Sequence, residues 1–357
     1  MENKTFFISL ISILAVIIIA LIILFVNKPS VNASPLEPCN TLSFSKEGAI
    51  GITFFGSKND SMKYTNYIKT ISPFDKADIN FYYIDSYKPN CELYKGIAIL
   101  CYSKELIRKA ASCKSNYIAV LSNQPSNIRS SSYMNVLSIN TASPISVFAH
   151  ELAHSLAFLA EEYIPGEISS KTKNCLSEEN KNNLPESFKG CSKDNYYRSI
   201  ENGIMRTLSS STFGSYDESL ILEKIPSSSK TSLITGNVIS EDCNQQQYYL
   251  ISATYNNNEV TINNIEPQQG CLSTTSSGAF NYTLIGDYSI SQEFNPELIF
   301  TDVQVGDSLT GETFISDKEF YIQTPKIQES QMLQISKDNK VLALVNLQSS
   351  NTRPCQI

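Results

Sequence analysis

The sequence predicts an α/β (α+β) domain followed by an all-β sandwich, both behind an N-terminal transmembrane helix, and three observations predict it. From about Thr41 to Ile225, strand-like runs alternate with helical ones. From about Ser227 onward the helical runs stop, and short β-branched or aromatic runs are broken by Asn, Gly, Pro and Ser. Ahead of both, Phe6 to Val26 is an unbroken run of 21 uncharged residues dominated by Ile, Leu, Val and Phe. These textures divide the chain into residues 1–27 as a signal anchor, 28–43 as a stalk, 44–225 as the α/β domain and 226–357 as the sandwich.

The apolar run can cross a hydrocarbon core of about 30 Å. It is longer than the apolar core of a cleavable signal peptide, so it reads as an uncleaved anchor, although Val31-Asn32-Ala33 has the small residues of a cleavage site. Lys4 and Lys28 flank it almost symmetrically, so charge does not orient it. The cysteines do. All nine (Cys39, Cys91, Cys101, Cys113, Cys175, Cys191, Cys243, Cys271 and Cys355) follow the span, at spacings that match neither a zinc ribbon nor a redox motif. They read as a disulfide framework, which puts the body outside the cell on a single-pass anchor. Short loops suggest Cys101 with Cys113, Cys175 with Cys191 and Cys243 with Cys271, leaving Cys39, Cys91 and Cys355 unassigned. Pro29, Pro35 and Pro38, among several Ser and Asn, suit a stalk.

In the α/β region the helical runs are Ser61–Ile71, Lys104–Ala111 and Ile145–Ala160. The last can be capped by Ser143 with Pro144 in first position; it has no internal Gly or Pro and carries Val147, Leu152, Leu156 and Leu159 for packing. After a Ser227-Ser228-Ser229 linker, the strand runs are Tyr248–Thr254, Glu259–Asn263, Phe280–Ile285, Leu298–Val303, Glu319–Ile322, Met332–Ser336 and Val341–Leu347. With 41% hydrophobic residues the chain can build real cores, and a net charge of −7 without a basic cluster excludes nucleic acid and anionic lipid as partners.

Both histidines of the chain fall in His150-Glu151-Leu152-Ala153-His154. On a helix, residues i and i+4 stand one above the other, so His150 and His154 can hold one zinc ion at about 2.0–2.1 Å. Glu151 is rotated roughly 100° from His150, beside the ion instead of on it, where a carboxylate can take a proton from an activated water and pass it to a leaving amine. The pattern points to metal-assisted hydrolysis. A catalytic zinc takes three protein ligands, and with no third histidine the last is an oxygen donor, Glu161 or Glu162. On an unbroken helix Glu161 would stand about 10 Å beyond His154, so the chain must turn back for either to ligate.

The run from His150 to Tyr163 resembles the signature of the igalysin metallopeptidases, the IgA-peptidase-like branch of the metzincin zincins: H-E-x-G-H, small residues, then L-x-D-E-Y. Asn174-Cys175, Tyr197-Arg198, Ile204-Met205-Arg206 and Phe213-Gly214 extend the resemblance downstream. Phe55-Gly56, Pro73-Phe74, Ile79 to Tyr82 and Tyr117 to Ser122 extend it upstream. It implies a zinc-dependent metalloendopeptidase acting on a protein or peptide, with Met205 in a tight turn beneath the metal. The chain departs from the family at Ala153, at Ala157-Phe158 where a glycine turn is usual, and at Glu161 in place of aspartate. A peptide substrate would need a strand edge beside the zinc helix, which Tyr133 to Asn140 is placed to provide. Tyr196 or Tyr197 would either stabilise the oxyanion or simply pack. The alternative is a non-catalytic surface binding protein with a structural or vestigial zinc site. An intact Glu151 argues against it, because a structural site has no use for a carboxylate held off the metal.

Overall fold

The computed structural model describes residues 36–347, apart from 165, 167, 170, 226–241, 274–276, 287–288, 301–311, 316–317 and 327–330. The expected membrane span Phe6–Val26, the Ser227–Ser229 linker and Cys355 lie outside these residues. Among the described residues, no helix is long and apolar enough to cross a membrane.

The first half runs β1 (Asn40–Ser43), β2 (Ile50–Phe55), α1 (Lys58–Ile68), β3 (Ile79–Ile84), β4 (Glu92–Tyr94), β5 (Ala98–Leu100), α2 (Lys104–Ala110), β6 (Tyr117–Ser122), β7 (Ser131–Tyr133), β8 (Val136–Asn140) and α3 (Val147–Ala157). It continues through β9 (Leu176–Ser177), β10 (Phe188–Cys191), β11 (Lys193–Arg198) and α4 (Ser215–Lys224). Strands β2, β3, β6 and β8 pair in parallel and are buried along most of their length, as strands covered on both faces must be. Alternation along them feeds two cores. Ile52, Phe54, Phe81, Ala119, Leu137 and Ile139 face the core that α1, α3 and α4 close with Tyr64, Ile68, Phe148, Leu152, Leu156, Leu220 and Ile221. Phe55, Ile84, Ile118, Val120 and Val136 face the other, closed by Leu106 and Ile107 of α2.

The second half runs β12 (Gln247–Asn256), β13 (Glu259–Gln269), β14 (Phe280–Ile285), β15 (Ile290–Phe294), β16 (Glu297–Phe300), β17 (Glu312–Ile315), β18 (Glu319–Pro325), β19 (Met332–Lys337) and β20 (Lys340–Asn346). Most of these strands form antiparallel sheets in the orders β13-β12-β18 and β15-β14-β19-β20. Their shared core holds Ile251, Ala253, Tyr255 and Phe320 from one sheet and Phe280, Tyr282, Phe294, Leu333 and Ile335 from the other. The opposite face of β12 does not meet water. Tyr248 and Leu250 point into the α2 core, so β12 is packed on both faces and ties the antiparallel layers to the α/β sheet.

Several elements differ from expectation for local reasons. Asn40–Ser43, expected as the end of the stalk, is strand β1, paired antiparallel with β3. Helix α1 starts earlier than expected because Ser57 accepts the Asp60 N–H at 3.1 Å, a side-chain cap. Helix α3 starts at Val147 and not at Ile145, because the Val147 and Phe148 N–H groups bond three residues back, to Pro144 and Ile145, and the four-residue pattern begins only with His150 on the Ser146 carbonyl. Ser146 and not Ser143 is the residue ahead of the helix, and its hydroxyl bonds the Leu208 carbonyl. Helix α4 and strands β15 and β17 were not expected; α4 buries only Leu220, Ile221 and Asp217, too sparse a stripe to announce a helix.

Four disulfides lie among the described residues, which belongs to an extracytoplasmic protein. Cys175–Cys191 and Cys243–Cys271 pair as expected. The expected Cys101–Cys113 bridge does not form. Cys101 pairs with Cys91, because the β4–β5 hairpin sets Glu92 opposite Leu100 and brings the next residues out on either strand together. Cys113, past the end of α2, pairs with Cys39 before β1. That bridge closes a loop with a sequence separation of 74, against 10 for Cys91–Cys101. Chain entropy then predicts that losing Cys39–Cys113 costs about 4.5 kcal/mol and losing Cys91–Cys101 about 2.8 kcal/mol, to be read from urea unfolding of the paired serine variants.

Candidate metal centre

Helix α3 carries the motif near its C-terminal end. It stops at Phe158, which takes a left-handed conformation (φ 53°, ψ 39°) while its N–H bonds back to the last turn. A residue with a side chain pays about 1–3 kcal/mol there. The Phe158 ring recovers part of that cost by packing into the core shared by the two antiparallel sheets. The reversal is therefore made without a glycine, and it returns the chain toward His154.

The returning segment is clamped on its far side. Asn174 accepts the Ala160 N–H at 2.8 Å and donates to the Ala160 carbonyl at 3.0 Å. Ser192 donates to the Glu161 carbonyl at 2.5 Å, and Cys175–Cys191 ties together the two strands of chain that supply these clamps. Glu161 is thus delivered to the histidines. Its Oε2 lies 3.0 Å from His150 Nε2 and its Oε1 3.1 Å from His154 Nε2, while the two Nε2 atoms are 3.0 Å apart. Ligand atoms around a tetrahedral ion with bonds of about 2.0–2.1 Å stand about 3.3 Å apart, so a shift of a few tenths of an ångström would seat the ion.

The imidazoles are oriented from behind. His150 Nδ1 lies 2.9 Å from the Ile204 carbonyl and His154 Nδ1 2.6 Å from the Leu159 carbonyl. A carbonyl can only accept, so each Nδ1 donates to it, and Nε2 is the nitrogen that faces the site and would offer its lone pair to a metal in the neutral imidazole. Burial pushes the His150 pKa down, but the Glu161 carboxylate outweighs it and raises the value to about 9. Burial likewise pushes Glu161 up, and His150 and His154 outweigh it, leaving its carboxyl at about 2. The cluster stabilises positive charge between the Nε2 atoms. It fits a divalent ion held by His150, His154 and Glu161.

Glu162 goes elsewhere. Its N–H donates to the Met205 carbonyl at 2.9 Å, its own carbonyl accepts from Arg206 at 3.1 Å, and its carboxylate lies buried beside Asp217, Asn174 and Arg198. Both main-chain groups of Glu162 are tied to the Met205–Arg206 segment, which turns its side chain toward Asp217 while Glu161 faces the histidines. Met205 sits in a tight turn closed by the Arg206 and Thr207 N–H groups on the Gly203 carbonyl, fully buried in the α3 core. Its neighbour Ile204 supplies the carbonyl that orients His150. Glu151 is fully buried, and its charge acts on His150.

Other expected residues are placed differently. The Tyr197 hydroxyl is engaged by Glu178, with the Lys181 ammonium over its ring, and the Tyr196 ring packs against Ala160, Cys175 and Cys191. Tyr133 to Asn140 is not a free edge: β8 lies between β6 and β7, and β7 is itself paired on its outer side. The clamps Asn174 and Ser192 and the Glu162–Asp217 pair were not assigned roles from sequence. Asn174 stood in the resemblance, but its bonds to Ala160 exist only after the chain reverses.

Burial raises the carboxyls of both Glu162 and Asp217 above the ordinary range; Glu162 raises Asp217 further, while Arg198 and the bond from Asp217 draw Glu162 only part of the way back, to about 8. A folded pKa raised above the unfolded one gives stability that is complete below the unfolded value and is lost as pH rises through the folded value. Relative to the parent, Glu162→Gln should therefore gain stability as pH climbs from 5 toward 8, by up to about 1.4 kcal/mol per pH unit. Urea midpoints across that range check it; a constant difference would contradict the buried pair.

No protein-family model matches the chain, and no curated protein matches it either.

Proposed function

We propose that the chain is a membrane-anchored, outward-facing zinc metallopeptidase of igalysin-like, metzincin type, whose α/β domain precedes a β-sandwich. The observation that carries the reading is the convergence of His150 Nε2, His154 Nε2 and both Glu161 carboxylate oxygens on one point, with Glu151 held on the next position of the same helix. The zinc, when bound, supplies Lewis acidity that makes water a nucleophile near neutral pH and polarises a peptide carbonyl. With the ion bound, His150 and His154 would ligate through Nε2 while donating through Nδ1, and Glu161 would balance charge. Glu151 removes a proton from the water whose oxygen adds to the carbonyl carbon, and returns it to the amide nitrogen as the C–N bond breaks. The turn at Met205 supports His150 from beneath through the Ile204 carbonyl. The disulfides support an extracytoplasmic setting, and the apolar run at Phe6–Val26 supports the anchor.

One observation favours the non-catalytic reading. His150, Glu151, His154 and Glu161 are at most 2% exposed, and closed metal sites are characteristically structural. A single experiment separates the two. The full chain in detergent is loaded with zinc, assayed for metal content and incubated with reduced, carboxymethylated casein. Stoichiometric zinc with hydrolysis supports the peptidase; stoichiometric zinc with none under any activating condition leaves the structural site; no zinc refutes both.

A further inference from the structure

We infer that β16 is a built-in occupant of the peptide-binding edge, so that a strand of the chain itself holds the metal site latent. The inference rests on the metallopeptidase reading and names the regulation of that site.

An extended substrate binds by adding a strand to a sheet edge, where main-chain bonds hold it in register. Without β16 and β17, the outer strand of the α/β sheet on the side of α3 would be β7. That strand touches the metal helix directly. Ser132 Oγ lies 2.5 Å from Ser155 Oγ, and Ser155 follows His154 in the chain. Ser155 also bonds the Met134 carbonyl at 3.3 Å, where the chain leaves β7. A peptide laid along β7 would therefore run beside the turn of α3 that carries His154.

In the structure β16 lies there. It runs antiparallel to β7, with Ile299 opposite Ser132 and Phe300 opposite Ser131. It offers β7 the same main-chain donors and acceptors that a substrate would, from within the same chain. A tethered competitor acts at an effective concentration on the order of millimolar, enough to exclude a weakly binding peptide. The hold is short. Two residue pairs join β16 to β7, whereas ten join β12 to β13, so β16 can leave without unravelling the antiparallel sheets. The same turn of α3 is fastened to the second half of the chain a second time, by Ser277 donating to the Ser155 carbonyl at 2.7 Å. The closure of the four site residues then belongs to a latent enzyme. The activating event is displacement of β16 by an extended segment, or cleavage that frees it.

The test uses the zinc-loaded full chain and an Ile299→Pro variant, which removes a main-chain donor of β16. Zinc content, hydrogen exchange at Ser131–Tyr133 and casein hydrolysis are read together. Unchanged zinc, faster exchange on β7 and a rate at least about tenfold above the parent would support the proposal. Exposed β7 amides and full zinc at the parent's rate would overturn it. Exposed β7 amides and full zinc with no hydrolysis in parent or variant would overturn the metallopeptidase reading and the inference with it. A Ser132→Cys/Ile299→Cys pair works in the opposite direction and does not depend on the proline variant folding. Cross-linked, it should stay slow when an excess of extended peptide activates the parent; a cross-linked protein activated to the parent's rate would refute the occupancy.

Discussion

Glu151→Gln should leave zinc in place and lower peptide hydrolysis by about 10²–10⁴-fold, the usual contribution of a positioned general base, if the proposed function holds. Gln keeps the size and the buried hydrogen-bonding shape of Glu151 but cannot accept a proton. The residues that could hold the metal, His150, His154 and Glu161, are unaltered. The zinc content of parent and variant should therefore agree within error while their rates separate. A variant that loses zinc would mean that Glu151 is a ligand or a support for one, and a variant that keeps both zinc and full activity would remove it from the chemistry. The assay gains range if β16 is first released, since a latent parent would compress the difference.

The second large effect distinguishes the adjacent glutamates. Glu161→Ala should weaken zinc binding by more than the roughly 10–100-fold that loss of an outer-sphere partner costs, while Glu162→Gln should leave the affinity unchanged. The metal-free protein gives a second readout. Without Glu161, burial dominates at His150, and its pKa should fall from about 9 to below its ordinary 6.5. An NMR titration of the two imidazoles in the presence of a chelator follows this directly. A His150 that still titrates near 9 would show that its charge is stabilised by something other than Glu161.

How much of this was legible before folding varies with distance along the chain. The histidine pair was readable because its partners are four residues apart and helical periodicity brings them together. Cys175–Cys191 and Cys243–Cys271 were readable for a related reason, as neighbours in short loops. The β-rich second half was recognisable by composition, and Phe280–Ile285 matches β14 residue for residue. Helix α4 was not, because its apolar stripe is thin and its stability comes from the core it closes.

The choice between Glu161 and Glu162 was closed to sequence. Both are carboxylates at the same distance from His154 to within one residue, and either could ligate if the chain turned back. The left-handed Phe158 reverses the chain, and the Asn174 and Ser192 clamps hold the returning segment so that Glu161 and not Glu162 faces the histidines. The Cys39–Cys113 bridge and the β16–β7 pairing are of the same kind, contacts between segments far apart in the chain. Local periodicity thus determined the helix, its two histidines and the glutamate beside them, because those relations are written within one or two turns of backbone. Which carboxylate completes the site, and what lies along its edge, was decided only by tertiary structure. Both depend on where distant segments come to rest when the two halves pack, and no local pattern in this sequence records that.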